Sequence, residues 1–557
     1  MIIDKIKKEI DNKNLPQSKE IQVRVGIVYT RITGKVRSTV SKAINKKLSF
    51  FVPHARFVKS YQNGKWDGYI RFYKLGWKTF PTGFLADVEK ILKKKKVTYE
   101  IIDNKEKLKV SKESINLAFK SNKKIIPRQY EKKAVITALD KQVGVINIPT
   151  GTGKTLIINL IMKAVDIETK NSVKHLVISS GLTLLSQLHK EISSFQGEDA
   201  GFIGGSKWEP KRITIASIDT LFSVMKNESK NGVRKNELME LLNNSKTLFL
   251  DEAHHSPAKT FKEVVYKSKA PIRIGTTATY KRSSGDNMTL TSVTGNVIYK
   301  KSISRMIDKG WLAKPTIILV QFEDKEKSDE MINAIYNEIR KKNGKKPLAK
   351  KNDDAKWSRL YSVEVAHNNK RNKLLAEILG VFNSYNLNTV LFVREKFQGE
   401  YIYDTVLKNK CIDENNMKFM SGSDSTEDVR NPTLKKFMKG KLRNIICTRI
   451  LNEGVDFPVA NAGIRAEGQL FEGNVIQQLG RILRKVKLKI SKDINREKMQ
   501  RIFWVDICDL HHPILAKHSL KRIKTYESEK AFDIEYITDV KSLKKVVDKY
   551  INETHIV

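Results

Sequence analysis

The sequence predicts an α/β protein with two tandem doubly wound parallel-sheet domains behind a small basic α+β domain. Three observations predict this. Apolar runs alternate with amphipathic stretches from residue 125 to about 310, which is the rhythm of repeated β-α-β units. A second series of the same kind begins near residue 315. Ahead of both, residues 21–80 hold 13 Lys or Arg and one acid, Asp67.

At 557 residues the chain is too long for a single core. The expected divisions are 1–118, 119–312, 313–510 and a helical extension over 511–557. In the first, Val23 to Tyr29 and Tyr69 to Tyr73 read as strands and Phe84 to Leu92 as a helix. Val97 to Ile102 follows as a third strand, and Asn63-Gly64 and Asp67-Gly68 read as hairpin turns. The second has strand candidates at 143–148, 174–179, 213–216, 247–250 and 272–275. The third has them at 316–320, 389–393, 417–420, 444–447 and 503–507. A charged interruption over about 323–358 reads as a helical insertion or mobile loop.

The formal charge is +43. An excess of that size calls for a polyanionic partner, nucleic acid first. A general Lys enrichment accounts for part of it, but not for the local asymmetry of residues 21–80. Three isolated cysteines, Cys411, Cys447 and Cys508, make no C-x-x-C pair. Neither a disulfide framework nor a zinc site is expected. No apolar run reaches the ~18 residues of a membrane span. With no signal-peptide pattern at the start, the expected location is cytoplasmic.

Ile148-Pro149-Thr150-Gly151-Thr152-Gly153-Lys154-Thr155 stands between a strand candidate and a helix candidate. A Gly-rich turn there aims backbone N–H groups and the helix N-terminus at phosphates. Lys154 would reach the β- and γ-phosphates of a nucleoside triphosphate, and the Thr155 hydroxyl would ligate Mg²⁺. Asp251 and Glu252 end the apolar run 248–250. Asp251 is placed for the same Mg²⁺ and Glu252 for activating water. In Gln477-Gln478-Leu479-Gly480-Arg481-Ile482-Leu483-Arg484, the arginines are expected on one helix face. Arg481 and Arg484 would supply fixed cations to the transferring phosphoryl group.

Together these motifs resemble the superfamily 2 helicases of the DEAD/DEAH type, and specifically the phage UvsW-like branch-migrating DNA helicases. Residues 148–155 look like motif I, 177–187 motif Ia and 215–220 motif Ic. Asp251 to His254 looks like motif II, 277–279 motif III and 389–394 motif IV. Residues 447–458 look like motif V and 477–484 motif VI. Asn63 to Arg71 and Phe80 to Phe84 look like the family's accessory DNA-binding domain.

The resemblance implies two RecA-like domains, ATP and Mg²⁺ as cofactors, and DNA as partner, branched or single-stranded/duplex junctions among its forms. It assigns catalysis to Lys154, Asp251, Glu252, Gln477, Arg481 and Arg484. It assigns the nucleotide to Tyr130, Glu131, Thr150, Gly151, Thr152, Gly153, Lys154, Thr155, Gly454 and Asp456. It assigns DNA to Ser180, Gly181, Ser217, Thr220, Arg394 and Thr448. In the basic domain the group is Arg24, Arg31, Lys35, Arg37, Lys65, Trp66 and Arg71. Glu131 departs from the family, which commonly has Gln there. The implied activity is 3′→5′ translocation with remodelling of junctions, forks, D-loops and R-loops in recombination, replication and repair. Proteins of those processes are implied partners, and host cytoplasm is the location if the gene is phage-borne. Alternatives are a duplex DNA translocase of a restriction or defence complex, and an RNA helicase.

Overall fold

Strand-forming apolar runs build three main sheets, beside two two-stranded ones, whose layout fixes where the candidate functional residues lie. The computed structural model describes residues 21–52, 55–103, 105, 107–226, 232–252, 258–278, 286–347, 356–421, 427–448, 457–469, 472–484, 487–489, 495–497 and 501–554. Two units divide the chain: 1–147 with 155–300, and 148–154 with 301–557.

The first unit begins with a four-stranded sheet. β1 (Ile21–Val25) and β2 (Tyr29–Thr33) replace the single strand expected over 23–29. Gly26 is the reason: its N–H donates to the Tyr29 carbonyl at 3.0 Å, and a Cβ there would lie 2.7 Å from that oxygen. β3 (Ser49–Phe51) and β4 (Tyr69–Arg71) form a separate antiparallel pair. Seventeen intervening residues (52–68) join them, so Asn63-Gly64 and Asp67-Gly68 are not hairpin turns. Gly64 instead follows the short helix Lys59–Gln62. β5 (Thr79–Pro81) and β6 (Tyr99–Asp103) complete the order β5-β2-β1-β6. Val23, Val25, Ile32 and Phe80 pack against Val40 and Ile44 of helix Ser38–Lys47 and Val88 and Leu92 of helix Leu85–Lys94.

The unit's large sheet contains β7 (Val143–Asn147), β8 (Lys174–Ser179), β9 (Gly201–Gly204), β10 (Lys207–Glu209), β11 (Ile213–Ser217), β12 (Ser245–Leu250), β13 (Ile272–Thr277) and β14 (Val297–Lys300). Its order is β10-β9-β11-β8-β12-β13-β7-β14, and only the β9–β10 pair is antiparallel. Near-continuous apolar runs such as Leu248-Phe249-Leu250 fit strands covered on both faces. The basic domain packs on this sheet's surroundings. Tyr29 meets the Tyr266 ring at 5.3 Å, Asn296 donates to Asp87 at 3.0 Å, and the Arg273 guanidinium donates to the Ile27 carbonyl.

The second unit holds β15 (Lys314–Phe322), β16 (Thr389–Phe392), β17 (Met417–Met420), β18 (Asn444–Cys447), β19 (Ala462–Arg465), β20 (Lys487–Lys489), β21 (Asn495–Glu497), β22 (Arg501–Asp509) and β23 (Asp533–Ile537). Seven run parallel in the order β17-β18-β16-β19-β22-β15-β23; β20 and β21 form a separate hairpin. The stretch expected as a helical extension over 511–557 therefore also supplies an edge strand. Charged residues occur in this strand because an edge position tolerates them. Asp533 pairs with Lys314 at 2.8 Å, and Glu535 with Lys549 at 2.8 Å. The charged interruption carries helix Asp329–Lys342, capped by Ser328, and helix Lys356–Tyr361. Ile332 there packs with Leu360 and Leu515. No helix among the described residues is long and apolar enough to cross a membrane.

Candidate functional site

Parallel strands all finish at one edge, so the residues just past them share that edge. In the first unit, β12, β13 and β7 are neighbours, with Leu250 opposite Gly275 and Thr277 opposite Asn147. The Gly-rich loop leaves β7 at this edge. Gly151 and Gly153 have φ of +74° and +87°, conformations that only glycine adopts without cost. Thr152 Oγ1 donates to the Pro149 carbonyl at 2.6 Å and closes the turn. Helix Lys154–Thr169 then begins, which puts its N-terminal N–H groups at the loop. Lys154 is buried, and Thr155 is half-buried. Ile148, which breaks the strict Gly pattern, is wholly buried and extends the apolar run of β7.

Asp251 follows β12 directly and is 4% exposed. Its N–H donates to the Ile178 carbonyl at 2.9 Å. Its Oδ1 accepts a hydrogen bond from Thr276 Oγ1 at 2.5 Å. Thr276 was not singled out from the sequence; it orients this carboxylate from the adjacent strand. Glu252 has φ +44°, a costly conformation for a side chain of its kind and one that clusters at functional sites.

The donor set suits Mg²⁺. A hydroxyl and one carboxylate are hard oxygen ligands, and Mg²⁺ takes one or two protein oxygens with phosphate oxygens and water. No cluster of three His, Cys, Asp or Glu able to hold a metal occurs among the described residues. Thr155 and Asp251 would hold the ion, whose charge would offset that of the phosphates.

In the second unit the expectation of two arginines on one helical face needs correction. Helix Glu472–Gly480 stops at Gly480. Arg481 and Ile482 continue as tighter turns, bonding to Gln478 and Leu479 at 3.2 and 3.1 Å. Arg484 lies beyond them and bridges Leu312 in extended form. Ala313 N–H fixes the neighbouring Leu483 carbonyl at 2.8 Å. Arg481 is buried and Arg484 exposed. Residues 148–154 belong to this unit, and Arg484 Nε lies 3.6 Å from where a Cβ on Gly151 would stand. Gln477 is buried. Gln478 Oε1 accepts from Arg465 Nε at 3.1 Å, and Arg465 also donates to the Gln469 carbonyl at 3.1 Å. Arg465, another residue missed in the sequence, thus braces the helix that precedes Arg481.

Tyr130 and Glu131 open helix Gln129–Lys141. Glu131 is buried and closes a capping box: Oε2 accepts from Arg128 N–H at 2.6 Å, and Oε1 from the Tyr130 hydroxyl at 2.9 Å. Burial raises its pKa against these hydrogen bonds. Gly454 and Asp456 lie outside the described residues.

The nucleic-acid candidates fall at the same edges. Ser180 and Gly181 follow β8, Ser217 ends β11, and Thr220 lies in the first turn of helix Ile218–Lys226. Gly181 has φ +76° and starts helix Leu182–Gln196. Arg394 follows β16, with its guanidinium 4.7 Å from the Tyr361 ring centre and Nε 3.3 Å from Glu395. Thr448 follows β18, its N–H bonded to the Met420 carbonyl at 3.0 Å. In the basic domain, Arg24 and Arg31 are direct partners across β1 and β2. Arg24 also donates to Gln22 Oε1 at 3.1 Å. Lys35, Arg37 and Lys65 are exposed. Trp66 donates from Nε1 to the Tyr69 carbonyl at 2.9 Å, and Arg71 pairs with Asp67. These two residues therefore have structural duties.

Residues 124–282 match the family model described as "Type III restriction enzyme, res subunit", and residues 369–486 match "Helicase conserved C-terminal domain". The DNA 3'-5' translocase XPB2 of Sulfurisphaera tokodaii is 26% identical over 381 residues, 65% of this chain and 79% of that protein. The ATP-dependent DNA helicase uvsW of Enterobacteria phage T4 is 21% identical over 516 residues, 86% of this chain and 92% of that protein. The chain belongs to the superfamily 2 helicases. The fold is also that of the solved S. cerevisiae Dbp5 bound to RNA and ADP BeF3, with TM-score 0.50 and 14% identity over 78% of this chain and 96% of that one.

As an ATP-dependent helicase or translocase, the protein needs a triphosphate cradle, an ordered carboxylate pair and fixed cations. Asp251 and Glu252 stand where β12 ends at the edge of the first sheet. Arg481 and Arg484 come from the second unit, on backbone anchored by Leu312 and Ala313 and by Arg465. Thr276, which bonds Asp251, and Arg465, which bonds Gln478, both lie outside the motifs read from the sequence.

Proposed function

We propose that this helicase remodels branched DNA, moving 3′→5′ and driving junction branch migration, fork regression and unwinding of D-loops and R-loops. The observation that carries this reading is the basic domain held against the first sheet in one unit, with Arg24 and Arg31 side by side on adjacent strands. Resemblance to the T4 uvsW helicase over 86% of this chain supports the same reading.

ATP would lie on residues 150–155, with the adenine near Tyr130 and Glu131. Each Glu131 oxygen still has a second lone pair able to accept from the adenine amino group. Asp251, oriented by Thr276, holds the metal site. Glu252 takes a proton from water as it attacks the γ-phosphoryl group, and Arg481, Arg484 and Gln477 stabilise the charge that develops. Ser180, Gly181, Ser217, Thr220, Arg394 and Thr448 offer hydroxyls, main-chain groups and one cation. Such groups suit phosphate and sugar, not base edges, so movement carries little sequence preference.

Similarity to the XPB2 translocase favours a second reading, a motor that tracks duplex without remodelling it. ATP-dependent processing of a four-way junction, measured beside a tailed linear duplex, separates the two. Strong ATP turnover on linear duplex with an untouched junction would refute the remodelling function.

A further inference from the structure

Four of the six large aromatic side chains exposed among the described residues fall within residues 51–77: Phe51, Phe57, Tyr69 and Trp77. Phe57 is 60% exposed and Trp77 44%. Apolar rings concentrated in water mark a binding surface. Trp77 sits at a hairpin tip, because Lys74 bridges Thr79 with its N–H donating at 2.8 Å, leaving residues 75–78 as the turn. Next to it in sequence, the β3–β4 pair carries a prearranged set of rings. Phe51 meets Tyr69 edge-on at 5.4 Å and Tyr61 at 6.0 Å, and Tyr61 meets Trp66 at 6.4 Å. Gly68 locks the arrangement, since a Cβ there would fall 2.3 Å from the Phe51 ring. Arg71 lies 5.3 Å above Tyr69.

The charge around these rings selects the occupant. Lys46, Lys47, Arg56, Lys59, Lys65 and Lys74 surround them in sequence, and the one acid of residues 21–80, Asp67, is paired with Arg71. Protein interfaces shed Lys from their core. Surfaces that hold unpaired nucleic acid combine cations for the backbone with rings for the bases. We propose that the rings of Phe51, Phe57, Tyr61, Trp66, Tyr69 and Trp77 form a stacking platform for unpaired bases, so that the basic domain engages single-stranded or splayed DNA in preference to closed duplex. This rests on the DNA-motor reading above and adds the DNA form that the domain takes.

The test uses the full chain without ATP, carrying Phe57→Ala with Trp77→Ala. The thermal midpoint, measured alongside, shows whether the fold is kept, and the aromatic exchange Phe57→Tyr with Trp77→Phe controls for any loss of it. Binding is read by fluorescence anisotropy on a single strand, a splayed fork and a blunt duplex, and stacking by quenching of 2-aminopurine in the single strand. Each stacking contact is worth about 5- to 150-fold in affinity, so losing two should weaken the single strand and fork by about 30-fold or more and abolish the quenching. Blunt-duplex affinity should move less than about twofold, and Phe57→Tyr with Trp77→Phe should restore the loss. Equal weakening on blunt duplex would overturn the proposal, as would no change on any DNA. So would a change confined to self-association in sedimentation, which would make the patch a protein interface. The motor reading fails separately, if the wild type turns over ATP at the same rate with and without DNA.

Discussion

Replacing Thr276 with Val tests the architecture of the site more sharply than replacing any motif residue. Valine keeps the branched shape and the strand preference of β13, so the sheet should tolerate it. Only the hydroxyl is lost, and with it the 2.5 Å hydrogen bond to Asp251. A hydrogen bond to a charged group contributes about 1.5–3 kcal/mol, or roughly 10- to 150-fold when converted at 1.4 kcal/mol per tenfold. Removing a partner that orients a metal ligand has cost about 10- to 100-fold in other sites. Two independent routes therefore lead to the same range. Steady-state ATP hydrolysis with saturating DNA, run across Mg²⁺ concentrations, should show kcat/KM for MgATP falling within it. The Mg²⁺ requirement should shift upward, and Thr276→Ser should recover most of the activity. A Val variant that keeps wild-type kinetics and Mg²⁺ dependence would show that Asp251 needs no help from β13.

Lys154→Ala or Glu252→Gln should abolish ATP turnover with DNA affinity within about threefold of wild type; retained turnover in either would move the catalytic site elsewhere. Arg24→Gln with Arg31→Gln should weaken duplex binding and make its slope against log salt shallower by about 1–2, since each phosphate contact contributes about 0.9. An unchanged slope would take both arginines off the DNA. Asp166 is buried, which alone would raise its pKa, but hydrogen bonds from His175 at 2.8 Å and from Arg212 hold it below its ordinary value. Its contribution is therefore complete above the unfolded pKa of about 3.9 and is lost as pH falls below that value through the lower folded one. Asp166→Asn should cost about 3 kcal/mol in urea denaturation at pH 7. That gap should begin to narrow as pH falls below about 3.9 and shrink further through the lower folded value; a gap unchanged over that acid range would contradict the assignment.

What could be read from the sequence follows the range of each interaction along the chain. The loop 148–155 and the pair Asp251–Glu252 are contiguous, so their chemistry shows in a short window. The parallel strands were visible because burial on both faces demands unbroken apolar runs, as at residues 248–250. The β9–β10 hairpin and β14 were not, being short and weakly patterned. Thr276 was illegible because its partner lies 25 residues away, and nothing in the local pattern distinguishes it from other strand threonines. The placing of Arg484 on a helix failed for a different reason. Val475, Leu479 and Ile482 keep helical spacing, but Gly480 lets the chain tighten and leave, and the Leu312 bridge draws Arg484 into extended form. Apolar period cannot report a helix end set by a distant strand.

Arg273 decides how the basic domain should be probed. It is the second residue of β13, three residues before Thr276, or about 10 Å along the strand. Its guanidinium is buried and donates to the Ile27 carbonyl in the β1–β2 turn, 246 residues away in sequence. Burial pushes its pKa down to about 10, so it remains a cation at neutral pH. Deleting residues 1–118 would remove that carbonyl and the Tyr29 ring from Tyr266 together, disturbing the very strand that orients Asp251. A fall in ATP turnover after such a deletion would then say nothing about DNA. Arg273→Met separates the effects: it keeps bulk and removes a desolvated charge along with its hydrogen bond, changes that often nearly cancel in stability. The thermal midpoint should shift little, whereas amide exchange in residues 21–33 and 79–103 should accelerate as the domain loosens from the sheet. Exchange as slow as in the wild type would mean that the tyrosine pair and the Asp87–Asn296 bond suffice to hold it. The arginine would then be an expense without a structural return.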